Sequence, residues 1–391
     1  MTLSWTTGKV WLKSAECALQ TSKILVVCRE DKVLPIADEF GGDDLGHAIT
    51  LDLASIITGK APKPTDISIV NSTVNYLGLA ALALLVFSIG LPLSSFSLLT
   101  AGTILANEFH VLTPHPAQFG VACFAAILPI TILANPSYRS AWVTIGAIAL
   151  VTALLFREAI GMMGAATALL AALLSTIRER SKWPTNLALV AVVIMATATP
   201  YALLRARDAA YDLPPPSKLE RHGTWANLYM GLGGVDNPFG IDWNDFSAID
   251  AVKSVDPTVD YLSPRFYDIL KDVYFKILLT RPLDVAIVYY KKLQIALHTP
   301  MNIWRLQLWH ILAAVSLACI LVMSKLEHSS RYRAVFLVSL AFAALFLAQA
   351  TLFHFDMQYL FPIKIFFLLA SSAVIEALCT KVSQRAELSW I

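Results

Sequence analysis

The feature that most constrains this chain is a series of apolar stretches, each close to the length needed to cross a bilayer. Residues 186–204 hold no charged side chain. A helix rises 1.5 Å per residue, so about 20 apolar residues span the hydrocarbon core. Comparable stretches recur at about 75–93, 95–107, 117–134, 140–156, 161–177, 305–323, 334–353 and 358–380. Inside lipid no water bonds the backbone, so such stretches must be helical. Only 15% of residues are charged and 57% are hydrophobic, whereas soluble domains run about 25% charged. The expected fold class is an all-α polytopic membrane protein with about nine transmembrane helices. A net charge of +2 with no basic tract argues against nucleic acid as a partner. Cys17, Cys28, Cys123, Cys319 and Cys379 are scattered without a C-x-x-C. That pattern predicts neither a disulfide framework nor a zinc site.

The polar remainder divides the chain. Residues 1–74 form an N-terminal segment in which Lys23 to Arg29 encloses only a short apolar run, and no signal-peptide pattern is visible. The first transmembrane helix is therefore expected to be missing or degenerate. An acidic loop, Asp38-Glu39-Phe-Gly-Gly-Asp43-Asp44-Leu-Gly-His47, follows. Leu45, Ile49, Leu53 and Ile56 then recur at helical spacing, predicting an amphipathic helix at the membrane interface. Gly59, Pro62 and Pro64 end it. Residues 75–204 predict a bundle of about six helices and 305–391 a bundle of about three. Between them lies the long polar segment 205–304. Its Gly- and Asn-rich centre reads as loop. Residues 265–279 and 283–297, separated by Pro282, read as amphipathic helices along the membrane surface.

Basic residues in the short loops set the sidedness. Arg139, Arg178, Arg180, Lys182, Lys325, Arg331, Arg333, Lys381 and Arg385 all fall on one side, against a single Arg157 on the other. The basic side is assigned to the cytoplasm. Residues 30–70 and 205–300 then share the external face, and the two segments are expected to meet there in one site.

Several polar residues are candidates for chemistry. A carboxylate at Asp43 or Asp44 can serve as a general base or hold a divalent cation; alternatively Asp44 only caps the helix starting at Leu45. Arg157 suits a phosphate because its planar fork binds two oxygens, or it pairs with Glu158. Arg205 and Arg207 can meet a lipid phosphate or simply snorkel to headgroups. Glu108 is a possible second acid or a solvated loop carboxylate. His222 can contact substrate or move a proton, or make a structural hydrogen bond. Gly231-Leu-Gly233-Gly234 lacks the preceding strand and following helix of a phosphate loop. Lys364, inside the last apolar stretch, should face protein or water.

Asp43-Asp44-x-x-His47-Ala48 resembles the Asp-Glu-x-x-Tyr-Ala pattern in the first external loop of GT-C membrane glycosyltransferases, notably family 39 protein mannosyltransferases and aminoarabinose transferases. The order His222-x-x-Trp225, Tyr229-x-Gly231-x-Gly233, Asn237-Pro-x-Gly240, Asp242/Asp245 and Lys291/Lys292 is similar to the external loop of an uncharacterised bacterial subgroup of that superfamily. His354-Phe-Asp356-Met-Gln358-Tyr359-Leu-Phe-Pro362 looks like its His-x-Glu-Arg-Tyr-x-x-Pro, with Gln358 in place of Arg. The resemblance implies a GT-C-like bundle in a bacterial inner membrane, with its site on the periplasmic face. It implies Asp43 as the catalytic acid of the Asp43/Asp44 pair and a substrate contact at His47. The implied reaction moves a sugar from a polyprenyl-phosphate donor to a glycan, lipid or protein acceptor among membrane lipids. No cofactor is evident and a divalent metal is left open. A transporter or flippase, and a non-catalytic or truncated GT-C relative, are the alternatives.

Overall fold

Most of the apolar stretches become helices. The computed structural model describes residues 6–30, 32–39, 44–112, 117–178, 181, 183–215, 223–299, 307–308, 310, 313, 316–317, 330–353 and 360–388. Among them run helices α1 (Thr6–Thr21), α2 (Leu45–Thr58), α3 (Pro64–Ser88), α4 (Pro92–Leu112), α5 (Gln118–Ala134), α6 (Arg139–Phe156) and α7 (Glu158–Arg178). They are followed by α8 (Trp183–Tyr211), α9 (Thr224–Gly231), α10 (Asp245–Val255), α11 (Pro264–Thr280), α12 (Pro282–His298), α13 (Ser330–Leu352) and α14 (Ile363–Leu388). Among the described residues, six helices are long and apolar enough to cross a membrane: Pro64–Ser88, Arg139–Phe156, Glu158–Ile177, Trp183–Tyr211, Arg331–Leu352 and Ile363–Thr380. The chain is thus a largely helical, polytopic integral membrane protein. Most of the expected stretch 305–323 lies outside the described residues.

The chain divides into two compact units. One comprises Asn71–Tyr201, Thr299–Phe346 and Leu360–Ile391. Its centre is α5, which is buried almost all round, as expected for a helix without a polar face. Small residues let its neighbours come close. A Cβ on Gly78 of α3 would collide with the backbone of Gly120, and one on Gly164 of α7 would press on Ala125. The Asn75 carboxamide oxygen accepts the Gly120 amide at 2.8 Å. Glu376 of α14 is buried, yet it is not an isolated intramembrane charge. Its carboxylate accepts the Leu93 amide at 3.2 Å and the Ser94 amide at 3.0 Å, capping the first turn of α4 where free N–H groups and the helix dipole favour an anion.

The other unit comprises Met1–Val70, Ala202–His298 and Leu347–Tyr359. It begins with α1, whose buried face carries Val10, Trp11, Ser14, Ala15 and Ala18. The chain then turns through an antiparallel hairpin, β1 (Val26–Arg29) paired with β2 (Lys32–Pro35), so the protein is not strictly all-α. Cys17 and Cys28 are joined by a disulfide with Cα atoms 5.3 Å apart. This corrects the expectation of no disulfide. Folding α1 back over the hairpin brings together two cysteines whose spacing alone carries no signal. Gly59 ends α2 with φ +64°, a left-handed backbone that glycine adopts without steric cost.

The segment after α8 also differs from the loop expected of it. The Gly- and Asn-rich centre contains α9 and α10, and with α11 and α12 they build a core of their own. Tyr229, Met230, Leu232, Ile241, Phe266 and Leu270 are all buried in it. Asn244 and Ser263 cap α10 and α11 by accepting the amides of Ser247 at 2.8 Å and Phe266 at 3.3 Å. The intervening turn is organised by one side chain. Asn237 donates to the carbonyls of Val235 and Ile241 and accepts from the amides of Phe239 and Ile241. The Asn237-Pro-x-Gly240 motif therefore has a local folding role.

Candidate functional site

Residues 23–25, ahead of the acidic loop, contact the C-terminal end of α8. The Ile24 amide donates to the Tyr211 hydroxyl at 3.3 Å, and the Lys23 ammonium lies 5.4 Å from the Tyr211 ring centre. Arg207, buried at 4% exposure, donates through Nη1 to the Leu25 carbonyl at 3.0 Å. Its Nη2 forms an ion pair with Asp208 at 2.6 Å. Arg207 thereby ties the end of α8 to the loop before β1, a structural engagement that the headgroup and phosphate readings do not include. Arg205, two positions earlier, is exposed on another face of α8, as residues two apart on a helix do not share a face.

The acidic segment is partly defined. Asp43 lies outside the described residues, as do His222 and the side chain of Glu108. Glu39 is held by Lys13 at 3.2 Å and Arg29 at 2.9 Å. Asp44 stands at the N-cap of α2 in a left-handed conformation, φ 57° and ψ 51°, and makes no side-chain capping bond. The capping alternative is therefore not what its geometry expresses. His47 is 4% exposed and stacks on Trp11, with ring centres 4.1 Å apart and planes 5° from parallel. It fastens α2 to α1. Arg157 belongs to the other unit and forms the extended joint between α6 and α7. Its amide bonds to the Ala153 carbonyl at 2.8 Å. The neighbouring Glu158 accepts from the Tyr201 hydroxyl at 2.6 Å.

Two ionisable groups are the most deeply buried among the described residues of the polar unit: Asp52, which sequence reading did not single out, and Lys292, which it named only within the Lys291/Lys292 element of the resemblance. Asp52, fully buried on α2, accepts through Oδ2 from the Ser14 hydroxyl at 3.0 Å and the Leu25 amide at 2.7 Å. Its Oδ1 has no hydrogen-bond partner among the described residues. Burial pushes its carboxyl up to about 7, against the partial relief of those two bonds. Lys292 of α12 is also fully buried. Its ammonium donates to the carbonyls of Gly231 at 2.7 Å and Phe353 at 2.8 Å, and Tyr289 places its ring centre 5.9 Å away. Gly231 is the last residue of α9, and Phe353 directly follows α13. Lys292 therefore satisfies orphan carbonyls at two helix C-termini, where the dipoles favour a cation. Burial nonetheless lowers it to about 7.

Gly231 belongs to the same junction, since a Cβ there would strike the Leu352 carbonyl. The glycine pattern thus serves close backbone packing. Phe353 immediately precedes the His354–Tyr359 motif, which lies outside the described residues. Among the described residues no group of three or more His, Cys, Asp or Glu side chains is arranged to hold a metal. Fold and polar unit together define the class: an integral membrane protein with a folded, disulfide-bearing polar unit. No protein-family model matches this chain, and neither curated proteins nor solved structures yield a match.

Proposed function

We propose that this protein is a membrane glycosyltransferase that moves a sugar from a polyprenyl-phosphate donor to an acceptor on the non-cytoplasmic face. The observation that carries the reading is that residues 23–25 of the N-terminal segment and Arg207 and Tyr211 at the start of the long polar segment are joined in one polar unit. A transfer site at a membrane surface needs a general base near a chamber that orients a lipid-linked donor and an acceptor. The segment that begins α2 supplies Asp43 and Asp44 in a polar unit attached to apolar helices. The Cys17–Cys28 disulfide supports the external assignment, because disulfides persist in oxidising compartments. The donor carries its own activated phosphate, so the protein's task is to deprotonate the acceptor and steady the departing lipid phosphate. Asp43 takes the first role. Arg157 and the exposed Arg205 are the cations for the second, with Glu108 and His222 as further substrate contacts.

The test is sugar transfer in membranes bearing the full chain, using radiolabelled polyprenyl-phosphate sugars and following label into glycan, lipid and protein fractions. An Asp43→Ala/Asp44→Ala variant is expected to lose transfer while inserting normally. Undiminished transfer by that variant rejects these carboxylates as the base, and no transfer by the wild type from any polyprenyl-phosphate sugar rejects the reaction.

A further inference from the structure

Helices α11 and α12 form a hairpin joined at Thr280, Arg281 and Pro282. Its inner face is covered: Phe266, Leu270 and Tyr274 of α11 and Val285, Val288 and Lys292 of α12 lie in the core of the polar unit. The outer face of α12 is apolar as well. Leu283 is 77% exposed, Ile287 51% and Tyr290 60%, at the spacing of one helical stripe. Across the turn, Leu279 is 78% exposed and Phe275 37%. Away from the turn the exposed positions are mostly polar, through Lys271, Asp268 and Arg265 on α11 and Lys291, Gln294 and His298 on α12, with Ile295 at 43% exposure the exception on α12. The most exposed apolar side chains, Leu279 and Leu283, flank the turn.

Several polar groups at this turn bond within the protein. The Thr280 hydroxyl donates to the Lys276 carbonyl at 2.7 Å. The Arg281 amide donates to the Ile277 carbonyl at 2.9 Å, and the Val285 amide to the Arg281 carbonyl at 3.2 Å. Pro282 has no N–H to satisfy. Arg281 folds back on the protein. Its Nε donates to Asp284 at 2.7 Å, its Nη1 to the Pro238 carbonyl at 3.2 Å, and its guanidinium lies 5.2 Å from the Phe239 ring centre. The one cation at the turn is thus neutralised by a neighbour. Such internal pairing lowers the cost of bringing these groups towards hydrocarbon, where an unpaired polar group has no alternative partner.

We propose that the α11–α12 turn is a wedge that enters the lipid bilayer at the headgroup–acyl boundary, with Leu279, Leu283 and Ile287 in the acyl region. Lys276 and Lys291, a turn or more back, sit where basic side chains reach lipid phosphates. The bilayer is the chosen occupant on three grounds. The chain itself crosses one. From His298 the chain continues at Thr299 into the unit that carries most of the crossing helices. The stripe is narrow and flanked by basic residues, as an interfacial helix requires. The inference is independent of the proposed sugar transfer.

The experiment uses the full chain with Cys123, Cys319 and Cys379 replaced by serine, single nitroxide labels at chosen positions, and nanodiscs of phosphatidylcholine and phosphatidylglycerol. Labels at 279, 283 and 287 are expected to favour collisions with oxygen over a water-soluble nickel chelate. Labels at 268, 271 and 294 are expected to show the reverse. Equal nickel access at 279 and 271 overturns the wedge, and so does dipolar broadening between copies labelled at 283, which would assign the turn to a second protein chain.

Discussion

Asp52 and Lys292 are both fully buried in the same unit, and both sit far from their ordinary protonation ranges, in opposite senses. Asp52 lies in the N-terminal region, where α1, the hairpin and α2 are braced by a disulfide. Its two donors only partly replace water, so the neutral acid is favoured and the group rises to about 7 from 3.8. Lys292 lies in the helical cluster after α8 and caps two helix ends, yet burial still lowers it from 10.5 to about 7. The difference lies in what each group does for its neighbours. Asp52 satisfies one buried backbone amide and one hydroxyl. Lys292 holds the ends of two helices that are distant in sequence. The consequences for pH follow the sign of each shift. The stability from Asp52 is fully present below pH 3.8 and is lost as pH rises through about 7. The stability from Lys292 is present above pH 10.5 and is lost as pH falls through about 7.

The largest expected effect is at Lys292. Lys292→Ala leaves two buried helix-end carbonyls without a donor and opens a cavity, which costs about 3–5 kcal/mol. Thermal unfolding in detergent is the measurement, with hydrogen exchange localising the loss to the ends of α9 and α13. Lys292→Met keeps the volume and is expected to remove the rise of stability between pH 7 and 10.5. Wild-type stability in either variant would mean that the junction is held by packing alone.

Cutting the disulfide comes next. The two cysteines are 11 positions apart, and closing a loop of that size is worth about 3 kcal/mol. Cys17→Ser/Cys28→Ser should expose α1 and the hairpin to protease while α9–α12 stay protected. If both regions become labile together, they unfold as one and the comparison between them collapses.

The smallest effect is expected from Asp52→Asn. The amide oxygen can accept both existing bonds, so the loss at pH 5 is about 1 kcal/mol. The informative reading is the slope. Wild-type stability should fall between pH 3.8 and 7 relative to the variant, so the variant gains on the wild type as pH rises. Parallel pH curves would show that Asp52 does not titrate in this window.

The apolar stretches 140–156 and 186–204 were legible because a bilayer-length run without charge has one outcome in lipid; α6 and α8 occupy them. Pro64, Pro92 and Pro282 begin helices, as a residue with fixed φ and no N–H allows. The short helices α9 and α10 were not legible. Each is too brief to display a period, and their stability comes from burying Tyr229, Met230, Ala248 and Val252 against α11. The roles of Arg207 and His47 were not legible either, because a partner such as the Leu25 carbonyl or the Trp11 ring is chosen by the fold.

By itself the sequence determined that this chain is a helical membrane protein and roughly where most of its apolar helices lie. Those properties follow from local hydrophobicity, proline and glycine geometry, and charge. Tertiary structure decided the pairing of Cys17 with Cys28 and the burial of Asp52, Lys292 and Glu376. On α12, both the covered stripe through Val285 and Val288 and the exposed stripe through Leu283 and Ile287 are apolar. Periodicity cannot choose between two apolar faces, so only packing against the rest of the unit decides which side takes Lys292 into the core.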